Sequence, residues 1–157
     1  IEDVVNWHER NANIILHCFT DRKTELEEEE INKNLFFHKL NDKKFLEMMA
    51  GADALVSTAG FESVGECMYL GKPALLVPIQ GHFEQYCNAR DAHRSGGAIF
   101  SDEFKLDNVL DYASKYQRQD NKYRKWVESS EKIIIEAIED AHDFKTGYQN
   151  SFVGNNI

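Results

Sequence analysis

Residues Val56–Ala89 read VSTAGFESVGECMYLGKPALLVPIQGHFEQYCNA. Ala54-Leu55-Val56-Ser57 is an apolar run with the length and composition of a buried strand. Thr58-Ala59-Gly60 must then turn the chain, and a helix is expected over Val64–Leu70, stopped by Gly71 and Pro73. A second strand, Ala74–Val77, ends at Pro78, and Gly81 allows a tight turn into a helix over 83–94. Two neighbouring strands therefore deliver two helix N-termini to one edge of a sheet. Helix N-termini carry unpaired N–H groups and a partial positive charge, so such an edge suits a phosphate.

The same alternation extends outward. Residues 2–10 form an amphipathic helix with Val4, Val5 and Trp7 inward, and Ile14–Phe19 is a short apolar strand. Residues 20–34 are polar, and the run Glu27–Glu30 reads as a solvated face or loop. Leu35–His38 is a strand, Asp42–Ala50 a helix ended by Gly51, and Ala98–Phe100 a fifth strand. Two further helices are expected at about 105–117 and 121–142, followed by a flexible tail over 147–157. Strands that are apolar on both faces and alternate with helices predict an α/β fold. The expected form is a three-layer α/β/α Rossmann-like domain over residues 1–146 with a mostly parallel sheet.

Composition narrows the function. A chain of 157 residues with 42% apolar and 29% charged residues has the makeup of one soluble globular domain. Its net charge of -9 argues against a nucleic-acid surface, which is normally basic. No apolar run reaches the roughly 20 residues that span a bilayer. Cys18, Cys67 and Cys87 each sit in an apolar context, which reads as reduced thiols and a cytoplasmic location. Histidines occur singly, with no H-x-x-x-H or C-x-x-C, so no metal is expected. Neither G-x-G-x-x-G nor a Walker sequence occurs, which disfavours NAD and ATP.

The two loops carry the chemistry. In the first, Gly60 would accept positive φ and a close ligand, and Ser63 would offer a hydroxyl to a phosphate oxygen. Glu66, one turn on, could accept two hydrogen bonds from a ribose diol. Val64, Cys67 and Met68 fall at i, i+3 and i+4 and form the buried face. The same segment, Ser63-Val64-Gly65-Glu66, also reads as a capping box without any ligand. In the second loop, Glu84 and Gln85 begin a helix where adjacent acceptor and amide groups suit vicinal sugar hydroxyls. Asn88 lies one turn further along. An ordinary polar first turn is the alternative there. His82 is more readily a structural or exposed loop residue than a base.

Taken jointly, these residues resemble the donor-binding half of glycosyltransferases with the GT-B fold. The likeness is to the lipid II-forming N-acetylglucosaminyl transferase and UDP-glycosyltransferase families. The matching pattern is Gly60, Ser63 and Glu66, then Gly71-Lys72-Pro73, the strand Ala74–Pro78, and Glu84-Gln85 with Asn88-Ala89. Thr58-Ala59-Gly60 stands where the plant-type signature has His-Cys-Gly, and Glu84 where that group has Asp.

The resemblance implies a C-terminal domain that binds a nucleotide-sugar donor, such as a UDP-sugar. Thr58, Gly60 and Ser63 would meet the diphosphate, and Glu66 the ribose. Glu84, Gln85 and Asn88 would meet the donor sugar, and Lys39 and Leu40 would lie against the base. It further implies no cofactor, and an N-terminal partner domain, preceding Ile1, that supplies the general base. Peripheral membrane contact would come through that domain. The C-terminal domain's own first strand, with its glycine-rich loop, would normally precede a helix like 2–10 and is expected to be cut at Ile1. A UDP-sugar epimerase or hydrolase, or a non-catalytic binding module on the same fold, are the competing readings.

Overall fold

The computed structural model describes residues 1–21, 23, 26–117 and 122–153. The chain divides into two compact units, residues 1–118 and residues 119–157, where the sequence reading draws a single domain to residue 146.

The first unit begins with α1 (Glu2–Glu9), β1 (Leu16–Phe19), β2 (Glu28–Asn32), β3 (Leu35–His38) and α2 (Asp42–Gly51). It continues with β4 (Leu55–Ser57), α3 (Phe61–Leu70), β5 (Ala74–Leu76), α4 (Phe83–Arg94), β6 (Ala98–Phe100) and α5 (Leu106–Lys115). It is a three-layer α/β/α Rossmann-like domain. The strands form two three-stranded sheets, ordered β1-β3-β2 and β4-β5-β6, where one sheet was expected. The second is parallel throughout. In the first, β1 runs parallel to β3 and β2 antiparallel.

The core follows from strand alternation. On β5, Ala74 and Leu76 face one way and pack with Val64 and Cys67 of α3 and Ala89 and Ala92 of α4. Leu75 and the following Val77 face the other way, against Val109 of α5. Leu75 and Leu76 are both fully buried. At the end of α3, Gly71 takes the left-handed conformation (φ 65) and two backbone bonds close the helix. Lys72 N donates to Cys67 O (3.0 Å) and Gly71 N to Met68 O (3.1 Å). Lys72 Nζ reaches Ala52 O at 2.7 Å, tying this corner to the end of α2. The Gly-Lys-Pro triplet is thus a structural corner between helix and strand. Cys67 lies beneath it, and burial pushes its thiol up to about 12.

Two elements differ from the sequence expectation. The Glu27–Glu30 run is largely a strand, β2, whose residues alternate between exposed and half-buried. It lies at a sheet edge, where outward carboxylates are tolerated and discourage pairing with other chains. Asn34, at φ 71, makes the turn into β3. In the second unit, α6 (Lys122–Val153) runs past residue 142, so residues 147–153 of the expected tail are helical. A lone Gly147 costs a helix only about 1 kcal/mol and does not end it. Residues 154–157 lie outside the described residues. None of the described helices is long and apolar enough to cross a membrane.

A histidine pair links β1 to β3. His17 Nδ1 and His38 Nε2 share a hydrogen bond of 2.9 Å, and His38 Nδ1 lies 3.3 Å from Glu28 Oε2. Desolvation, with Lys44 adding, holds His38 below the usual histidine range despite the opposing pull of Glu28. Desolvation likewise lowers His17, with Glu28 opposing and Lys44 adding. The unfolded chain therefore takes up protons at a higher pH than the folded one, and stability must fall on acidification below about 6.5. We expect a lower urea midpoint at pH 5.5 than at pH 7.5, and a shallower slope when His17→Gln and His38→Gln are combined. An unchanged slope in the double variant would refute this assignment.

Candidate nucleotide-sugar site

The site is built where β4 and β5 end. Beyond Ser57 the chain turns through Thr58 and Ala59 and enters α3, whose N-cap is Gly60. Gly60 tolerates positive φ, but the turn places it at Ala59 (φ 65), while Gly60 is extended at φ -60. Ala59 is fully buried and held from two sides. Its N–H donates to Ser57 Oγ (3.2 Å), and its carbonyl accepts from Asn88 Nδ2 (3.1 Å). A non-glycine residue in this region costs about 1–2 kcal/mol, so the surrounding bonds must enforce it.

Helix α3 starts at Phe61, earlier than the sequence suggests, and this removes the capping-box reading. Ser63 lies inside the first turn, and its Oγ donates to Gly60 O (3.2 Å) and lies 3.2 Å from Ser57 Oγ. Glu66 therefore has no cap to complete. Its half-buried carboxylate makes no hydrogen bond or ion pair among the described residues. Desolvation, then repulsion from Glu62 and Asp42, raises Glu66 above the usual carboxylate range.

The cleft beside α3 has a volume of about 450 Å³. Gly60, Ser63 and Glu66 line it together with Phe61 and Glu62. Asp42, Phe45 and Leu46 of α2 form its other wall, and sequence reasoning missed all three. Their contribution depends on how α2 packs against α3, which no local motif encodes. The lining carries carboxylates and no lysine or arginine. An anion would therefore be held at the N–H groups of the α3 N-terminus, while the acidic wall suits hydroxyl donors.

The second loop is joined to the first. His82 caps α4, with Nδ1 accepting from Gln85 N at 3.4 Å, so the histidine has a structural role. Gln85 Oε1 accepts from Ile79 N (2.9 Å) and shapes the loop from within. Asn88 also donates to Glu84 Oε1 (3.4 Å), and Glu84 itself is exposed. The bond from Asn88 to Ala59 thus fixes the two helix N-termini relative to each other across 29 residues of sequence. Each helix begins with an exposed phenylalanine, Phe61 or Phe83. Thr58 is half-buried in the turn from β4 into α3.

Lys39 and Leu40 follow β3 and do not line the α3 cleft. Lys39 Nζ lies 3.6 Å from Glu27 Oε1, and Leu40 is exposed.

Residues 9–116 match the family model described as "Glycosyl transferase family 1". The chain belongs to this family. Its curated relatives include a UDP-N-acetylglucosamine–N-acetylmuramyl-(pentapeptide) pyrophosphoryl-undecaprenol N-acetylglucosamine transferase of Buchnera aphidicola. That protein is 28% identical over 121 residues, covering 72% of this chain and 31% of the relative. The enzyme of the same name from Blochmanniella floridana is 37% identical over 65 residues, covering 40% of this chain and 18% of the relative. A "Putative UDP-glucuronosyltransferase ugt-48" of Caenorhabditis elegans is 30% identical over 95 residues, covering 54% of this chain and 18% of the relative. These glycosyl transferase family 1 relationships agree with the GT-B likeness of the two loops. The aligned portion of the chain spans under a third of each relative.

Proposed function

We propose that residues 1–118 bind the nucleotide diphosphate of a sugar donor, most simply UDP, within a glycosyltransferase that passes the sugar to an acceptor hydroxyl. The observation that carries this reading is the hydrogen bond from Asn88 to Ala59. It sets two helix N-termini side by side, with the unengaged Glu66 carboxylate one turn into the first. The diphosphate sits at the α3 N-terminus, near Thr58, Gly60 and Ser63. Glu66 accepts from the ribose diol, and Glu84 and Gln85 face the donor sugar. Asn88 holds the frame. Lys39 and Leu40 lie on the side toward the base. The names of the relatives, which include UDP, support the choice of nucleotide.

In the transfer the bond from the anomeric carbon to the phosphate oxygen breaks, and the diphosphate leaves with the electron pair. Oriented N–H groups stabilise that developing charge. The acceptor oxygen bonds to the carbon and gives its proton to a base outside residues 1–157. Titration calorimetry with UDP and ADP tests the binding step. UDP should bind in the micromolar to millimolar range, and ADP at least about tenfold more weakly. A folded protein that binds no UDP at millimolar concentration overturns the proposal.

A further inference from the structure

We infer, resting on the nucleotide-sugar reading above, that the site selects a donor whose sugar carries no negative charge, and that Glu84 is the residue that rejects a uronic acid.

The first observation is the sign of the walls. Asp42 of α2 and Glu62 and Glu66 of α3 line the cleft, and no lysine or arginine does. None of these three carboxylates makes an ion pair among the described residues. Cations on nearby elements are engaged elsewhere. Lys44 of α2 pairs with Glu28 at 2.6 Å, and Lys72, just after α3, donates to Ala52 O. Arg90 of α4 lies over the Tyr86 ring, 5.7 Å from its centroid. Glu62 and Asp42 repel the Glu66 charge strongly enough to help raise its pKa, so the wall already opposes its own anions.

The second observation is a fourth carboxylate set beside the same helix start. Asn88 Nδ2 donates both to Ala59 O (3.1 Å) and to Glu84 Oε1 (3.4 Å). One amide group thus holds Glu84 against the residue that leads into Gly60 and α3. Glu84 is exposed, and its other oxygen, Oε2, makes no hydrogen bond among the described residues.

The third observation is the balance of charge. Each helix N-terminus presents about half a positive charge, so the pair supplies less than a diphosphate brings. The diphosphate therefore uses up what positive potential the two helices offer. A further anion on the sugar would find no cation and would face Glu84. Taking such an unpaired charge out of water is costly, whereas a sugar hydroxyl donates to the same carboxylate oxygens. The acidic walls meet the diphosphate equally in every donor, so that repulsion cancels when two donors are compared.

Titration calorimetry of the 157-residue chain with UDP-glucose and UDP-glucuronate tests the selection. The two differ only at carbon 6, a hydroxymethyl group in one and a carboxylate in the other. UDP-glucuronate should bind at least about tenfold more weakly. The gap should shrink at least about threefold in Glu84→Gln, and also when salt is raised from about 0.05 to about 0.5 M, as a charge effect requires. Should Glu84→Gln not fold, the salt series still separates charge from shape. Equal affinities for the two donors overturn the inference and leave the nucleotide reading standing. So does a gap that neither salt nor Glu84→Gln narrows, which would place the discrimination in shape. A gap narrowed by salt but not by Glu84→Gln removes Glu84 from the assignment. Binding of UDP without any binding of UDP-glucose overturns the inference alone, and failure to bind UDP at all overturns it together with the nucleotide reading.

Discussion

Leu76→Ala should destabilise the first unit by about 2–5 kcal/mol, the usual cost of emptying a buried leucine site. Leu76 is fully buried on β5, the central strand of its sheet, hydrogen-bonded between β4 and β6. Its side chain packs in the cluster containing Val64, Cys67, Ala89 and Ala92. The helices that supply these small residues are pinned by the Gly71 cap and the bond from Asn88 to Ala59, so the cavity cannot readily collapse. Domains of this size are stable by only about 5–15 kcal/mol, so the loss is a large fraction of the total. Urea unfolding of Leu76→Ala measures it, with Leu40→Ala as the comparison. Leu40 is 65% exposed, and its truncation should stay within about 0.5 kcal/mol. A cost below about 1 kcal/mol for Leu76→Ala would mean that this core is not packed as described.

Glu66→Gln should move stability and binding in opposite directions. Desolvation and the neighbouring Glu62 and Asp42 raise the Glu66 pKa in the folded state. The folded protein therefore holds this proton more tightly than the unfolded chain. At neutral pH the charged carboxylate opposes folding, and the opposition fades as pH falls through the raised pKa toward and below the ordinary glutamate range. Removing the charge should leave stability at pH 7 unchanged or slightly higher. If Glu66 accepts both hydroxyls of a ribose, the amide keeps one acceptor oxygen and loses the charge. UDP binding should then weaken about 10- to 100-fold, the scale of charge-assisted hydrogen bonds. Calorimetry paired with urea unfolding reads both quantities. Equal UDP affinity in a stable Glu66→Gln protein would remove Glu66 from the site.

The alternation of apolar runs with helices was legible because β5, α3 and α4 each carry their own boundary signals. Pro73, Pro78, Gly71 and Gly81 punctuate the chain where the elements change. The placement of Glu66, Glu84, Gln85 and Asn88 near two helix starts followed from spacing alone. What was not legible depended on distant neighbours. Glu28–Glu30 form a strand because β3 offers an edge, and charge gives no hint of that. Ala59 adopts positive φ because Ser57 and Asn88 hold it there, whereas the local rule chooses Gly60. Asp42 and Phe45 reach the cleft through helix packing. The division into two sheets reflects strand pairing, which no single strand's sequence specifies.

The alanine at the mouth of the site works like a sprung catch. Left alone, its backbone would relax toward an ordinary conformation, and the peptide units that lead into α3 would swing with it. The catch is a side chain from another helix, 29 residues away in sequence. The shape of the first loop is thus borrowed from the second, and any shift of α4 is passed directly to the start of α3.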